Sequence, residues 1–272
     1  MDIWRALLFS VIFLILDALF YFAFVLPFRF DLLDYETNLY STFEMLSKVS
    51  FYVLFWFLFL RKQVTLNHAE EKIPRIDHVC SMVMISGGLF LLNRLFFDLY
   101  SVYIERYKFD FKPDDFRNFV NNNPIYSQVL GVIGSLIIAP IGEELVFRKY
   151  LFAKMLNRYH VWTAMVWSSL CFALIHVPDY RNLFPTFLLG FFCSFAFQRS
   201  KKILYPIILH FLYNFFTYLN QSFFIDFKIF IYENRFNLSY FLIVIIGVIF
   251  IYSGFLLFNK AMKKEKEKLE IS

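Results

Sequence analysis

Two adjacent glutamates and an arginine stand near the end of an apolar stretch that is otherwise typical of a membrane helix. Glu143 and Glu144 come shortly before Arg148, and the apolar stretch runs from Tyr126 to Phe147. An acidic or basic residue at the centre of a membrane helix costs about 2.5 to 3.5 kcal/mol on insertion scales, and such residues usually mark a functional interior. These charges are therefore the first candidates for chemistry in the chain.

The spacing of the three charges predicts different roles for the two glutamates. Residues four apart share one face of a helix, so Glu144 is expected beside Arg148, which neutralises and orients it. Glu143 then points about 100° away and is left free to act as a base. Pro140 and Gly142, just before the pair, are expected to weaken or kink the helix and to open the carboxylate to a water-filled cavity.

Two more polar sites lie on later apolar stretches. His176 follows Phe172 by four residues, and Asn214 follows His210 by four, so each pair shares a helix face. The imidazole and the carboxamide of the second pair can both donate hydrogen bonds to one small target. Each element alone also has a structural interpretation. Together, a carboxylate base, an imidazole and two donors are the groups needed for attack of water on a carbonyl carbon.

The composition predicts the elements that must hold these residues. The chain has 272 residues, of which 59% are hydrophobic and 18% charged, against about 45–50% and 25% in an average soluble domain. We predict an all-α polytopic membrane protein with about eight transmembrane helices, forming one membrane domain (1–272) with a catalytic core at 126–220. The predicted spans are Trp4–Phe28, Met45–Leu60, Cys80–Ile104, Tyr126–Phe147, Val161–His176, Phe184–Gln198, Ile203–Leu219 and Leu238–Phe258.

Charge distribution predicts the orientation in the membrane. Basic residues are about twice as frequent in the segments that share a side with the two termini as in the other loops, so the positive-inside rule predicts both termini in the cytoplasm. The formal charge of +5 is spread over alternate loops, and no nucleic-acid partner is predicted. We expect a multi-pass plasma membrane protein surrounded by the lipid bilayer. The 40 phenylalanines against eight glycines hint at an AT-rich bacterial genome.

The depth of His176 presents a difficulty. The span Phe184–Gln198 is about 22 Å long at ~1.5 Å per residue, short of the ~30 Å hydrocarbon, so the turn at Val177–Leu183 is expected to be recessed and shielded by other helices. Helix rise then puts His176 about 22 Å from the cytoplasmic ends, with Glu143 much shallower. Straight helices keep the two apart. Either the fifth helix begins outside the hydrocarbon, near Asn157, or the fourth kinks at Pro140 and the predicted span limits are wrong by a turn.

The three motifs resemble those of a known enzyme family. Their sequences are Glu143-Glu144-Leu-Val-Phe-Arg148, Phe172-Ala-Leu-Ile-His176 and His210-Phe-Leu-Tyr-Asn214. In this order they resemble the CAAX protease and bacteriocin-processing family (CPBP, or Abi) of intramembrane endopeptidases, whose eukaryotic members include the type II CAAX prenyl endopeptidase. The resemblance covers about Gly131 to Asn220.

The resemblance implies a role for each motif residue. Glu143 is the general base that activates water, and His176 helps to polarise that water. His210 and Asn214 form the oxyanion hole. Glu144 and Arg148 hold the first motif in place as structural support.

A metal-dependent alternative remains open at this point. The family is often labelled a metalloprotease, and Glu143, His176 and His210 can in principle form a His₂Glu zinc site. No His-Glu-x-x-His helix is present, and Asn214 is a better oxyanion donor than a zinc ligand. We favour a metal-free reaction without a cofactor, with zinc as the alternative.

The predicted function is that of an intramembrane endopeptidase. Its expected substrate is a membrane-associated peptide, such as a bacteriocin precursor, or a lipidated protein. Bacteriocin processing or immunity is therefore one expected biological role. A non-catalytic membrane scaffold that regulates a partner protein is the alternative. An ion-coupled transporter also contains membrane-buried charges, but no inverted repeat with paired broken helices is apparent in the sequence.

Overall fold

The regular structure of this chain is helical throughout the part that can be described. The computed structural model describes residues 1–29, 38–61, 74–103, 125–222 and 225–271. Within these ranges the helices are α1 (Ile3–Arg29), α2 (Asn38–Phe55, continued by the π-helical turn Trp56–Leu60), α3 (Ile76–Tyr103), α4 (Ile125–Leu156), α5 (Val161–Leu174), α6 (Leu183–Ser200), α7 (Leu204–Ser222), α8 (Ile225–Glu233) and α9 (Leu238–Ile271).

Length and hydropathy make this a polytopic membrane protein. Five of the described helices are long and apolar enough to cross a bilayer: Ile3–Phe24, Tyr40–Leu60, Ile76–Tyr100, Ile125–Leu156 and Leu238–Glu267. The apolar segments Val161–Leu174 and Leu204–Leu219 are shorter. The predicted all-α membrane class is confirmed, whereas the number of eight spans and the cytoplasmic termini stay predictions. The loops that join α1 to α2, α2 to α3 and α3 to α4 lie outside the described residues.

The protein interior is built around α4, α5 and α6. Phe147, Arg148 and Phe172 are among the largest completely buried side chains, and α5 packs antiparallel along α6. By contrast, α1 and α9 expose many large apolar side chains, such as Leu8 and Ile249. Since apolar side chains face lipid in a membrane protein, these two helices lie at the periphery and shield the polar interior.

Helix α4 is longer than predicted and irregular in its middle. It continues to Leu156, so the predicted end at Phe147 was wrong, because Arg148 is neutralised inside the protein and does not mark the water boundary. Two π-helical segments, Gly134–Ile138 and Leu145–Phe152, flank the α-helical turn Ala139–Glu144. The disturbance expected from Pro140 is therefore present as a local widening of the helix.

The fifth predicted span, in contrast, ended too late. Helix α5 ends at Leu174, and a 3₁₀ segment, Val177–Asn182, connects it to α6. This segment packs against α3 as well as against α5 and α6. The connecting turn thus contacts three neighbouring helices, with Val177 45% exposed, and its depth stays a prediction. His176 lies in the turn between α5 and the 3₁₀ segment.

Small residues allow α3 and α9 to form the most extensive helix contact of the described chain. A Cβ atom on Gly88 would lie 2.5 Å from the backbone oxygen of Gly247, and one on Gly254 would lie 2.8 Å from that of Ser81. Backbone atoms cannot move aside as a flexible side chain can. Close helix approach through small residues is a common means of association in membranes, where the hydrophobic effect does not drive helices together.

We expect Gly88→Ala to lower the free energy of unfolding by about 1 to 3 kcal/mol, because overpacking forces the two backbones apart. Thermal unfolding of the purified protein in detergent measures this change. Gly131→Ala is the matched control, since nothing lies within 4 Å of a Cβ atom at Gly131. Equal melting temperatures of the two variants would contradict the close packing of α3 on α9.

Candidate active site

One cavity brings together the four residues that the sequence predicts to be catalytic. Its volume is about 300 Å³, and Glu143, His176, His210 and Asn214 all line it. These side chains come from α4, the turn after α5, and α7. The chain therefore contributes three separate segments to one polar space inside a helical membrane protein.

Glu144 is buried where α4 and α7 meet, and its carboxylate pairs with Arg148 and His210. Its Oε2 atom lies 2.8 Å from Arg148 Nε, and neither side chain is exposed. Its Oε1 atom lies 2.9 Å from His210 Nδ1. Because the carboxylate paired with Arg148 is only an acceptor, the proton belongs on His210 Nδ1. Glu144 thus fixes the orientation of the imidazole and turns its Nε2 atom toward the cavity.

Phe172 is the packing element that connects the three motifs. The Arg148 guanidinium carbon lies 4.7 Å from the centre of the Phe172 ring, and this cation–π contact partly compensates for burial of the charge. The ring also contacts both imidazoles edge to face, with centroid distances of 5.1 Å to His176 and 5.7 Å to His210. A residue of this size and shape explains why phenylalanine precedes His176 by one helical turn.

Asn214 is oriented by a carbonyl group that α4 leaves without a backbone partner. The Ala139 N–H donates to Gly134 O across the π-helical turn, and Pro140 has no N–H to donate. The carbonyl oxygen of Ser135 instead accepts a 2.8 Å hydrogen bond from Asn214 Nδ2. The nitrogen of the carboxamide must face this acceptor, so the second hydrogen on that nitrogen remains for a ligand in the cavity.

Glu143 differs from its neighbour in having an oxygen without a partner. Among the described residues, its Oε2 atom is buried and makes no hydrogen bond, and it lies 3.9 Å from His210 Nε2. Its Oε1 atom accepts a long hydrogen bond, 3.5 Å, from the hydroxyl of Tyr52 on α2. The two glutamates are therefore distinct. Both oxygens of Glu144 lie within 2.9 Å of a nitrogen of Arg148 or His210, whereas Glu143 Oε2 lies 3.9 Å from His210 Nε2 and can accept from a water or a substrate.

Tyr52 is the contact that sequence reasoning missed. Its ring lies flat on α4, where a Cβ atom at Gly142 would come within 2.5 Å of it, so only glycine permits this approach. Asp17 on α1 interacts electrostatically with both Glu143 and Tyr52. Nothing in the sequence distinguishes Tyr52 from the other 16 of the 17 tyrosines, because the contact joins helices far apart in the chain.

The expected mismatch in depth between Glu143 and His176 is absent. Glu143 lies about 20 Å from the end of α4 at Leu156, and α5 rises about 21 Å from Val161 to its end just before His176, at ~1.5 Å per residue. The two antiparallel segments bring both residues to the same level. The expectation failed because it ended the fourth helix at Phe147, nine residues too early.

His176 faces the cavity without touching Glu143 directly. Its Nδ1 atom lies 3.0 Å from the carbonyl oxygen of Phe172. A carbonyl only accepts, so the proton belongs on Nδ1 and the lone pair on Nε2. No ion pair joins His176 to Glu143 within the described side chains, so a small molecule such as water is needed to connect them.

The described side chains contain no preassembled group of metal ligands. No group of three or more His, Cys, Asp or Glu side chains in the described ranges is arranged to hold a metal ion. Glu143 and His210 Nε2 face one another, whereas His176 joins them only through the shared cavity. Zinc binding by Glu143, His176 and His210 stays the alternative prediction.

Arg148→Met should strongly destabilise the protein, because it leaves the buried Glu144 carboxylate without its cation. Breaking a buried pair in this way usually costs about 3 to 5 kcal/mol. Thermal unfolding and the yield of folded protein in detergent provide the measurement. The control is Lys263→Met, which removes an exposed pair with Glu267 and is expected to leave the melting temperature unchanged. A melting temperature unaffected by Arg148→Met would show that Glu144 does not depend on this partner.

Comparison with known proteins gives a match to the part of the chain that forms this site. Residues 125–216 match the family described as "Type II CAAX prenyl endopeptidase Rce1-like". This segment begins at α4, ends in α7 and contains all three motifs. No solved structure gives a significant match.

Relatives from bacteria match over a similar length. YdiL of Bacillus subtilis (strain 168), named as a candidate membrane peptidase, is 34% identical over 92 residues, which are 34% of this chain and 37% of YdiL. The "Membrane-embedded CAAX protease MroQ" of Staphylococcus aureus (strain USA300) is 36% identical over 91 residues, which are 31% of this chain and 36% of MroQ. The chain thus spans well under half the length of these relatives. Its segment 125–216 is thus similar to the Rce1-like CAAX prenyl endopeptidase family.

Proposed function

We propose that this chain is an intramembrane endopeptidase that hydrolyses a peptide bond in a membrane-associated peptide or protein. The observation that carries the proposal is the partnerless Oε2 atom of Glu143, which faces His210 Nε2 at 3.9 Å in a cavity shared with His176 and Asn214. This buried carboxylate oxygen faces the cavity and can accept a hydrogen bond from a ligand there. It is suited to hold a water molecule next to a carbonyl carbon.

The proposed reaction begins with a water molecule between Glu143 and His176. The water donates one hydrogen bond to Glu143 Oε2 and the other to His176 Nε2, which carries the lone pair. Glu143 takes a proton as the water oxygen attacks the carbonyl carbon of the scissile bond. Collapse of the tetrahedral intermediate breaks the C–N bond, and Glu143 returns the proton to the leaving amine.

His210 and Asn214 are the proposed donors to the oxyanion. Asn214 has one amide hydrogen that is not used by Ser135 O. His210 Nδ1–H is committed to Glu144, so His210 must be doubly protonated for its Nε2 atom to donate as well. Glu144 and Arg148 serve as structural support in this scheme, because they orient His210 and do not touch the substrate. Preorganised donors of this kind are usually the largest electrostatic contribution to acyl-group hydrolysis.

The proposal includes a reaction that proceeds without a metal ion or other cofactor. Glu143 supplies the base and His210 with Asn214 supplies the electrostatic stabilisation, so every role has a residue. The match of the segment 125–216 to a peptidase family and the name of the relative MroQ as a protease support the enzyme over a non-catalytic scaffold. A scaffold has no need of four polar side chains around one internal cavity.

Glu143→Gln, His176→Ala and His210→Ala should each reduce cleavage by about 100-fold or more, because each removes a group that acts on the water or on the oxyanion. The natural substrate is unidentified, so the measurement is a mass-spectrometric comparison of new peptide N-termini in membranes of cells that express each variant at equal levels. His160→Ala is the control, since His160 is exposed at the start of α5. Products that persist in all three variants would favour the scaffold.

Tyr52→Phe should lower kcat about three- to tenfold and leave KM unchanged, once a product of the protein is known. The hydroxyl holds Glu143 Oε1 and contacts no substrate, and a hydrogen bond to a charged group contributes about 1.5 to 3 kcal/mol at good geometry, less at 3.5 Å. Tyr240→Phe is the matched control, because this buried hydroxyl donates to Asp98 far from the cavity. A change in KM alone, or an equal effect of both substitutions, would refute this role of Tyr52.

A further inference from the structure

On α2 and α4, the cavity that holds the catalytic candidates extends from the level of Glu143 toward the beginnings of the two helices. On α2 it is lined by residues from Ser41 to Lys48, and on α4 by residues from Ser127 to Glu143. These segments lie toward the N-terminal ends of both helices. The stretch from Ser127 to Glu143 is about 24 Å long at ~1.5 Å per residue. The cavity therefore connects Glu143 to the membrane face at which α2 and α4 begin.

The outer part of this cavity is polar. Glu44 and Lys48 form an ion pair of 2.9 Å, with 37% and 47% of the side chains exposed. Ser41 and Ser127 also line the cavity. A charged pair at this exposure is expensive in contact with lipid tails and favourable in contact with water. The entrance is thus suited to a hydrated peptide backbone with polar side chains.

Basic residues are about twice as frequent at the opposite ends of the helices. Lys149 and Lys154 stand near the end of α4, Lys201 and Lys202 connect α6 to α7, and several lysines follow one another near the end of α9. Under the positive-inside rule these ends face the cytoplasm. The beginnings of α2 and α4 then lie on the other side of the membrane.

From the course of the cavity and the position of the basic residues, we infer that the candidate active site opens to the non-cytoplasmic side. Its substrate is then a peptide segment that has already reached that side, either an exported peptide or the outer segment of a membrane protein. The identity of the substrate class rests on the proposed function, whereas the sidedness of the cavity does not.

Cysteine labelling in intact cells tests the sidedness directly. The background is the full chain with Cys80→Ser, because Cys80 is exposed while Cys171 and Cys193 are buried. Ser41→Cys places a thiol at the entrance, and Ser135→Cys places one further inside, next to Asn214. Lys201→Cys is the control at the opposite end of the helices. The probe is a charged maleimide that does not cross membranes.

We expect the thiols at positions 41 and 135 to react in intact cells and the thiol at position 201 to react only after permeabilisation. The reverse pattern would overturn the inferred orientation. If position 41 reacts from outside and position 135 remains unlabelled even after permeabilisation, the cavity is not continuous and the inference also fails. Labelling after denaturation establishes that each variant is present in equal amount.

This experiment separates the inference from the proposed function, because labelling needs no catalysis. Labelling as expected without any cleavage product would support the outward cavity and contradict the proposed peptidase. Cleavage by a protein that is labelled only from the cytoplasmic side would support the proposed peptidase and contradict a substrate on the outer side.

Discussion

The buried Glu144 carboxylate is the group on which the arrangement of the candidate site depends. A charge without solvent exposure must be paired and hydrogen-bonded to be tolerated, and Glu144 satisfies this constraint with Arg148 on its own helix and His210 on another. Because these partners come from α4 and α7, the carboxylate is paired only when the two helices pack against each other. The Phe172 ring lies against Arg148 and His210 and brings α5 into the same unit.

Both oxygens of Glu144 have a close nitrogen partner, and its neighbour Glu143 differs in this respect. Glu143 is about 100° further around the helix and has an oxygen without a partner. The irregular course of α4 contributes to the same result, since the π-helical turn and Pro140 leave the Ser135 carbonyl free to orient Asn214. Helix irregularities of this kind occur frequently at functional sites, because they redirect a few groups without ending the helix.

The sequence predicted the local features of the site well and the contacts between helices poorly. The pairing of Glu144 with Arg148 follows from their separation by four residues on one helix. The contact of Glu144 with His210 and that of Glu143 with Tyr52 join residues far apart in the chain, and no periodicity contains that information. The helical membrane class was likewise readable from composition, whereas the end of α4 was misplaced. A charged residue was taken as the water boundary, although Arg148 is completely buried.

The central claim is that Glu144 holds His210 by its Nδ1 proton and thereby directs Nε2 toward Glu143. Nitrogen-15 NMR of histidine-labelled protein in a bilayer measures the protonation of each ring nitrogen, with the His210 signals assigned by their loss in His210→Gln. The account predicts a proton on His210 Nδ1, hydrogen-bonded to a carboxylate, and a change in that signal in Glu144→Gln. A neutral ring with its proton on Nε2 alone, insensitive to Glu144→Gln, would contradict it.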